Sequence, residues 1–212
     1  MYMKRIVISL LLACSVIYSN AQKLEEIFIQ MPDSLVEQLE EAWRKDLVDL
    51  YKTGKTATLE NTMNGKSTLL KLTDDYLLLQ STEKSTVELK LLPLVNNTYI
   101  ICMIETVFAP VADSRFGFYS TTWQKLSSDG LLIPVNEAKY LKNDIDRTSF
   151  EFLDVSSRLD MFLVKYSLSA ENMSLTAEYM TPHYLDDDYK ERIEPYLKKE
   201  PVIFEWKSGR FE

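Results

Sequence analysis

The chain has 212 residues, of which 46% are hydrophobic, and its formal net charge is −8 at pH 7. This length fits one large domain or two small ones, and the composition supplies enough apolar material for a packed core. An acidic chain repels phosphate backbones and anionic lipid heads, and the sequence has no cluster of lysines and arginines with interleaved aromatic residues. The composition therefore excludes nucleic acid as an expected partner.

The N-terminal segment, residues 1–21, has the layout of a secretory signal peptide. Lys4 and Arg5 form a basic head, an apolar run covers residues 6–18, and a small-x-small pattern ends at Ala21. We expect cleavage between Ala21 and Gln22, and an exported protein, periplasmic or secreted, without a transmembrane segment in its mature chain.

An alternative reading of the leader concerns Cys14. The segment Leu-Leu-Ala-Cys at residues 11–14 resembles a bacterial lipobox, in which the cysteine is lipidated and becomes the mature N-terminus. The apolar run continues past Cys14 to Tyr18, and the stretch before the cysteine is short for a signal core. Simple cleavage after Ala21 is therefore favoured over lipidation.

Cysteine and histidine are scarce. If Cys14 leaves with the leader, Cys102 is the remaining thiol, so no intramolecular disulfide forms and burial must hold the fold together. The apolar residues around Cys102 predict a buried structural thiol. His183 is the single histidine, which excludes multi-histidine and Cys-His zinc sites, and we predict no metal and no cofactor.

The first predicted element of the mature chain is an amphipathic helix over residues 34–52. Ser34 and Glu37 have the spacing of a capping box, and Gly54 suits the left-handed residue that ends a helix. The apolar stripe consists of Leu35, Leu39, Ala42, Trp43, Leu47, Leu50 and Tyr51.

From Thr56 the hydrophobic period changes to two, which indicates successive antiparallel strands. Asn64-Gly65 predicts a hairpin turn, and Glu88 and Lys90 alternate with apolar residues, as in a strand with one wet face. Residues 98–108 are apolar on both faces, as expected of a central strand. Further strand signals lie at Arg115–Trp123, Phe150 and Phe152, 162–168, 173–179 and 202–206.

The pattern as a whole predicts an α+β fold. A large, mostly antiparallel meander sheet is packed by the N-terminal helix and by a C-terminal helix within residues 185–199. A short, weakly helical stretch covers residues 136–141. We expect a single domain over residues 22–212, with a subdomain boundary near residue 130 as the alternative.

Motifs that carry chemistry are weak. Residues 54–56 and 64–67 end like phosphate-binding loops, but Asp49 and Glu60 stand where the first glycine is needed. The acids at 186–188 suit a helix N-terminus better than a calcium site, because a calcium loop also needs a glycine bend and a distal glutamate.

No catalytic residue is predicted. No serine in a nucleophile elbow is present to meet His183, and nothing singles out a pair among the carboxylates.

The candidate binding segment is Pro110–Arg115, between the most apolar strand and an aromatic-rich one. The candidate binding residues are Asp113, Ser114, Arg115, Tyr119 and Trp123. In the alternative interpretation this segment is an ordinary strand connection, in which Asp113 or Ser114 bonds to nearby backbone amides.

Four aromatic residues are candidates for an exposed platform, although core packing also explains each of them. They form two pairs, Tyr119 with Trp123 and Phe204 with Trp206.

Four segments together resemble one uncharacterised family of small exported Bacteroidetes proteins, known only as a domain of unknown function. These segments are Met31-Pro32-Asp33-Ser34-Leu35, Asn64-Gly65-Lys66-Ser67, Leu72-Thr73-Asp74-Asp75-Tyr76-Leu77 and Pro110-Val111-Ala112-Asp113-Ser114. The resemblance implies a periplasmic or surface location and brings no activity or site residue.

We expect a non-enzymatic binding or interaction protein of the bacterial envelope. Its expected partner is an envelope protein, a glycan or a small apolar ligand. The alternatives are a periplasmic carrier of a hydrophobic ligand, by fold-level analogy, and an envelope hydrolase that uses two carboxylates.

Overall fold

The computed structural model describes residues 23–212, and the fold is α+β, as predicted. The expected signal peptide, the lipobox cysteine Cys14 and the cleavage site between Ala21 and Gln22 lie outside the described residues. A seven-stranded antiparallel sheet forms the centre of the molecule, and a four-stranded sheet packs on one of its faces.

The large sheet, sheet 1, is a meander in which every strand pairs antiparallel with the next along the chain. Its strands are β1 (Thr58–Glu60), β2 (Lys66–Leu72), β3 (Tyr76–Thr82), β4 (Ser85–Pro93), β5 (Tyr99–Phe108), β6 (Ala112–Ser120) and β7 (Lys125–Leu126). The predicted meander is thus confirmed, and β5 is buried on both faces along most of its length.

The smaller sheet, sheet 2, has the strand order β11-β10-β9-β8, so β8 is one of its edges. Its strands are β8 (Val164–Leu168), β9 (Ser174–Tyr179), β10 (Val202–Lys207) and β11 (Arg210–Phe211). The helices are α1 (Leu24–Ile29), α2 (Glu41–Lys52), α3 (Phe150–Ser156) and α4 (Asp187–Ile193), and short 3₁₀ turns cover Asp33–Leu35, Glu137–Lys139, Thr181–His183 and Glu194–Tyr196.

Apolar side chains lie on both faces of sheet 1. The first face, which includes Ile101 and Met103, packs against α1 and α2. The second face, which includes Cys102 and Ile104, packs against sheet 2. Because side chains alternate along a strand, neighbouring residues of β5 belong to different cores.

The edge of sheet 2 is closed by side chains of sheet 1. The outward backbone N–H groups of β8 have no strand partner on that side, and an open edge is prone to pair with other chains. Three bonds satisfy them: Val164 N donates to Asp113 Oδ1 (3.2 Å), Tyr166 N to Ser114 Oγ (3.0 Å) and Leu168 N to Glu88 Oε2 (2.9 Å). Sheet 2 is therefore fixed to sheet 1 by hydrogen bonds as well as by apolar burial.

The prediction that Glu88 and Lys90 lie on a wet face is wrong. Both side chains are buried, because sheet 2 covers this face of β4. The Glu88 carboxylate accepts from Tyr76 Oη (3.1 Å) as well as from the Leu168 amide, and Lys90 Nζ lies 2.9 Å from Asp75 Oδ2. Each buried charge thus has a polar partner, as burial requires.

The predicted helix over residues 34–52 is wrong over its first seven residues, 34–40. The helix begins at Glu41, and Ser34 lies in a 3₁₀ turn without a capping bond, so the capping-box interpretation of Ser34 fails. The physical reason is Arg44, which is only 1% exposed and donates to the carbonyl oxygens of Ile29, Met31 and Leu39. Met31 and Leu39 lie between the helices and Ile29 is the last residue of α1, so none of these carbonyls has an intrahelical partner.

The strand signal at Phe150 and Phe152 is also wrong, because these residues lie in α3. Ser149 caps this helix by accepting from the Phe152 amide (3.2 Å), and the helix buries Phe152 and Val155 while Phe150 is exposed. The predicted C-terminal helix is confirmed in a shorter form, α4, which Asp186 caps by accepting from the Tyr189 amide (3.0 Å).

Candidate functional site

The candidate site lies where β5 turns into β6, at one end of sheet 1. In the register of these strands Val107 pairs with Asp113 and Glu105 with Arg115, so the four residues share the face that α1 and α2 cover farther along. The two helices do not cover this end of the sheet, and all four residues are exposed.

A groove of about 640 Å³ opens here, and we call it the corner groove. Its apolar lining includes Val107, Pro110, Val111, Met161, Leu163 and Tyr184, and its polar lining includes Ser85, Thr86, Glu105, Asp113 and Arg115. A cavity of this volume is in the range that small ligands and short peptide segments occupy.

Exposed apolar side chains surround the groove. Val107, Met161 and Tyr184 are 48%, 37% and 49% exposed, and Phe108, beside them in the chain, is 42% exposed. They come from β5, from the segment before β8 and from the turn before α4. Convergence of exposed apolar side chains from separate segments is typical of an interaction site.

The charged groups of the groove are available to a ligand. Arg115 and Glu105 are cross-strand partners, yet within residues 23–212 neither of them has an oppositely charged atom within 4.0 Å. Asp113 is different, since its Oδ1 accepts from the Val164 amide. Arg115 is thus an exposed cation beside apolar surface, with five N–H donors to offer.

The structure brings two of the five sequence-predicted binding residues, Asp113 and Arg115, into the groove. Ser114 faces the opposite side of β6, where it is buried, bonds to the Thr106 hydroxyl (2.8 Å) and accepts from the Tyr166 amide. Asp113 and Ser114 each accept from a backbone amide, but these amides are 51 and 52 positions away in the chain, so neither bond is the local one of the alternative interpretation.

The predicted aromatic residues serve packing. Trp123 is buried under α1, where its Nε1 donates to the Ile27 carbonyl (2.9 Å). Its ring packs against the Tyr119 ring, with the two ring centroids 5.6 Å apart. In the second pair, Trp206 Nε1 donates to the Pro93 carbonyl (2.7 Å). Neither tryptophan is available as part of an exposed platform.

Sequence reasoning missed Met161, Leu163 and Tyr184, which form the far wall of the groove. Met161 and Tyr184 lie in connections between elements, where no hydrophobic period marks a face, and Leu163 falls within the strand signal at 162–168. An apolar residue in a connection is ordinary, so the sequence did not mark these residues as one wall of a site.

Groups that could bind a metal ion do not converge in the described part of the chain. Residues 23–212 contain no cluster of three or more His, Cys, Asp or Glu side chains arranged for a metal ion. Cys102 is fully buried, and burial raises the pKa of its thiol, so it is an inert structural thiol as predicted. Among the same residues, no helix has the length and apolar character needed to cross a membrane.

Comparison with known proteins identifies a family but no activity. No curated protein matches the chain. A solved structure, a domain of an uncharacterized protein from Porphyromonas gingivalis W83, is 29% identical, covers 89% of this chain and 98% of that chain, and superposes with a TM-score of 0.81. The model of the family described as "Protein of unknown function (DUF3256)" matches residues 16–211. These findings confirm the predicted resemblance and fold class, and the chain belongs to the DUF3256 family.

Proposed function

We propose that this protein is a non-enzymatic binding protein of the bacterial envelope that holds a short, extended segment of a partner protein in the corner groove. The observation that carries the proposal is the convergence of Val107, Met161 and Tyr184 around Arg115, which has no ion-pair partner within residues 23–212. The expected signal peptide supports the envelope location.

The chemistry of the groove favours a protein segment over a glycan or a purely apolar ligand. An apolar ligand is best held in an enclosed apolar cavity, whereas this groove is open and mixes apolar side chains with Ser85, Thr86 and both signs of charge. A peptide presents apolar side chains and backbone polar groups side by side, so it matches such a lining. Because Arg115 has no ion-pair partner within residues 23–212, we expect an acidic residue of the bound segment to lie against it.

A displayed library of random short peptides tests the proposal. We expect residues 22–212 to enrich sequences in which an aspartate or glutamate lies next to apolar residues. The variant Val107→Ser/Tyr184→Ser should bind the enriched peptides about tenfold more weakly, since central apolar contacts dominate such interfaces. Arg115→Glu should exchange the acidic preference for a basic one.

The matched control is Val95→Ser/Ile133→Ser. These two side chains are 85% and 78% exposed and lie outside the groove, so the control should bind like the parent protein. A library without enrichment, or enriched peptides that bind the groove variant as tightly as the parent, would refute the proposal.

A further inference from the structure

A second concave surface, the lysine cleft, lies across Pro110 and Val111 from the corner groove. A shallow depression connects the two, because it shares Pro110 and Val111 with the groove and Lys165, Met180 and His183 with the cleft. The cleft has a volume of about 550 Å³ and lies between sheet 2 and the segment of α4 and the turns that follow it.

The floor of the cleft is apolar and firmly held. It includes Tyr140, Tyr179, Met180, Pro182, Leu197 and Pro201. The Tyr140 and Tyr179 rings stack with their centroids 4.9 Å apart, and Tyr140 Oη donates to the Ala177 carbonyl (3.1 Å). The Tyr140 carbonyl in turn accepts from the Lys198 amide (2.7 Å), which ties the far wall to the floor.

Four lysines and three glutamates (Glu178, Glu194 and Glu200) line the cleft, so its lining has one more cationic than anionic side chain in a protein whose net charge is −8. Lys165 pairs with Glu178 at 3.1 Å, and Lys199 lies 3.9 Å from Glu194, near the limit of an ion pair. Lys190 and Lys198 have no carboxylate within 4.0 Å among the residues the structure describes.

Donor capacity remains unused around the floor. Lys198 Nζ donates to the Lys139 carbonyl at 2.9 Å, which leaves two of its three N–H groups free. The Tyr179 hydroxyl is buried and has no hydrogen-bond partner in the described chain. Burial raises the pKa of Tyr179 to about 12, and the neighbouring Thr181 hydroxyl offsets part of this rise. Tyr179 therefore stays a neutral donor.

We propose that the lysine cleft binds a small anionic amphiphile. The ammonium groups of Lys190 and Lys198 hold its carboxylate or phosphate, and its apolar body lies on the floor formed by Tyr179, Met180 and Leu197. This ligand and this site are distinct from the peptide segment and the corner groove. An anion suits Lys190 and Lys198, because these two lysines have no carboxylate within 4.0 Å among residues 23–212. An apolar body suits the apolar floor.

Calorimetric titration of the mature chain with decanoate, decyl phosphate and neutral 1-decanol tests the proposal. We expect at least one of the two anions to bind about tenfold more tightly than 1-decanol, and the comparison between them identifies the preferred head group. The affinity should fall with added salt, since exposed charges are screened. It should also fall about tenfold in Lys190→Ala/Lys198→Ala.

The control variant is Lys66→Ala/Lys84→Ala, which removes two exposed lysines of sheet 1 outside the cleft and should leave the affinity unchanged. Unchanged circular dichroism confirms that each variant is folded. The inference is overturned if neither anion binds, if 1-decanol binds as tightly as both anions, or if the cleft variant binds like the parent. Peptide binding in the corner groove is measured separately, so one proposal can fail while the other holds.

Discussion

Ser114 illustrates how a polar residue at a strand end serves the fold. Its hydroxyl accepts from the Tyr166 amide, which belongs to an edge strand of the other sheet. The amide that donates to Ser114 is 52 positions away in the chain, and no local sequence pattern indicates such a partner. From the sequence alone, Ser114 was therefore predicted to be a ligand-binding residue.

Ser114→Ala should lower the free energy of unfolding by about 1–3 kcal/mol, because the buried Tyr166 amide would lose its acceptor. Ser34→Ala is the matched control, since Ser34 is exposed and its side chain makes no capping bond, and it should change stability by less than about 0.5 kcal/mol. Urea denaturation of the three proteins measures both values. Equal stability of the two variants would contradict the role assigned to Ser114.

Glu88 should make stability depend on pH. Burial raises the pKa of its carboxyl above the ordinary 4.5, although the bonds from Leu168 and Tyr76 oppose the rise. The folded state therefore binds the proton more tightly than the unfolded state, and the free energy of unfolding falls as pH rises from about the ordinary pKa through the raised one.

Glu88→Gln removes this titration and keeps an oxygen that accepts from the Leu168 amide. Relative to the parent protein, the variant should therefore gain stability as pH rises through the same window. Urea denaturation at several pH values between 4 and 8 measures the difference. A stability difference that does not change with pH would show that Glu88 titrates normally in the fold.

At the scale of elements, hydrophobic period was informative where one face of an element is buried. The period-two pattern of residues 58–120 predicted the meander correctly, because each strand packs at least one apolar face. Prediction failed where burial depended on a distant element. The strand with a wet face at Glu88 and Lys90 is covered by sheet 2, whose existence no pattern within β4 indicates.

Helix boundaries failed for a related reason. The start of α2 is set by Arg44, whose guanidinium binds the carbonyls of Ile29, Met31 and Leu39 and the Asp33 carboxylate at 2.8 Å. In a sequence pattern, apolar residues are expected to be buried and arginine to be exposed. The pattern therefore did not predict that the Arg44 guanidinium is buried against the loop before α2. The groove was not predicted for the same reason, because Met161 and Tyr184 are brought to it only by the arrangement of sheet 2.

Arg44→Met should destabilise the protein by about 3 kcal/mol or more, because several buried carbonyls would lose their donor. Asp33→Asn should cost less than Arg44→Met, since Asp33 is 62% exposed and asparagine keeps an oxygen that accepts from the Arg44 guanidinium. Thermal and urea denaturation rank the two variants. Similar losses in both would mean that the ion pair, rather than the carbonyl bonds, sets the loop.

At the scale of the whole molecule, sheet 1 carries two different faces and an end that neither layer covers. The helices α1 and α2 protect one face, and sheet 2 protects the other. The corner groove lies at the remaining end of β5 and β6, outside both cores. Because neither layer covers this end, apolar side chains such as Val107 are exposed there.

Export is tested by the mass of the protein recovered from the envelope of its own cells. We expect a chain that begins at Gln22, because signal peptidase would cut after Ala21. A chain that begins at a lipidated Cys14 would establish the lipobox alternative. Recovery of the uncut chain, beginning at Met1, from the cell interior would contradict an envelope function.

The corner groove is most directly tested by nuclear magnetic resonance of the protein titrated with an acidic-apolar peptide from the displayed library. We predict that amide signals around Val107, Arg115, Met161 and Tyr184 shift together and saturate at one affinity, while those of α1 and α2 stay in place. Shifts confined to other surfaces, or no shifts at all, would contradict the assignment of this groove as the binding site.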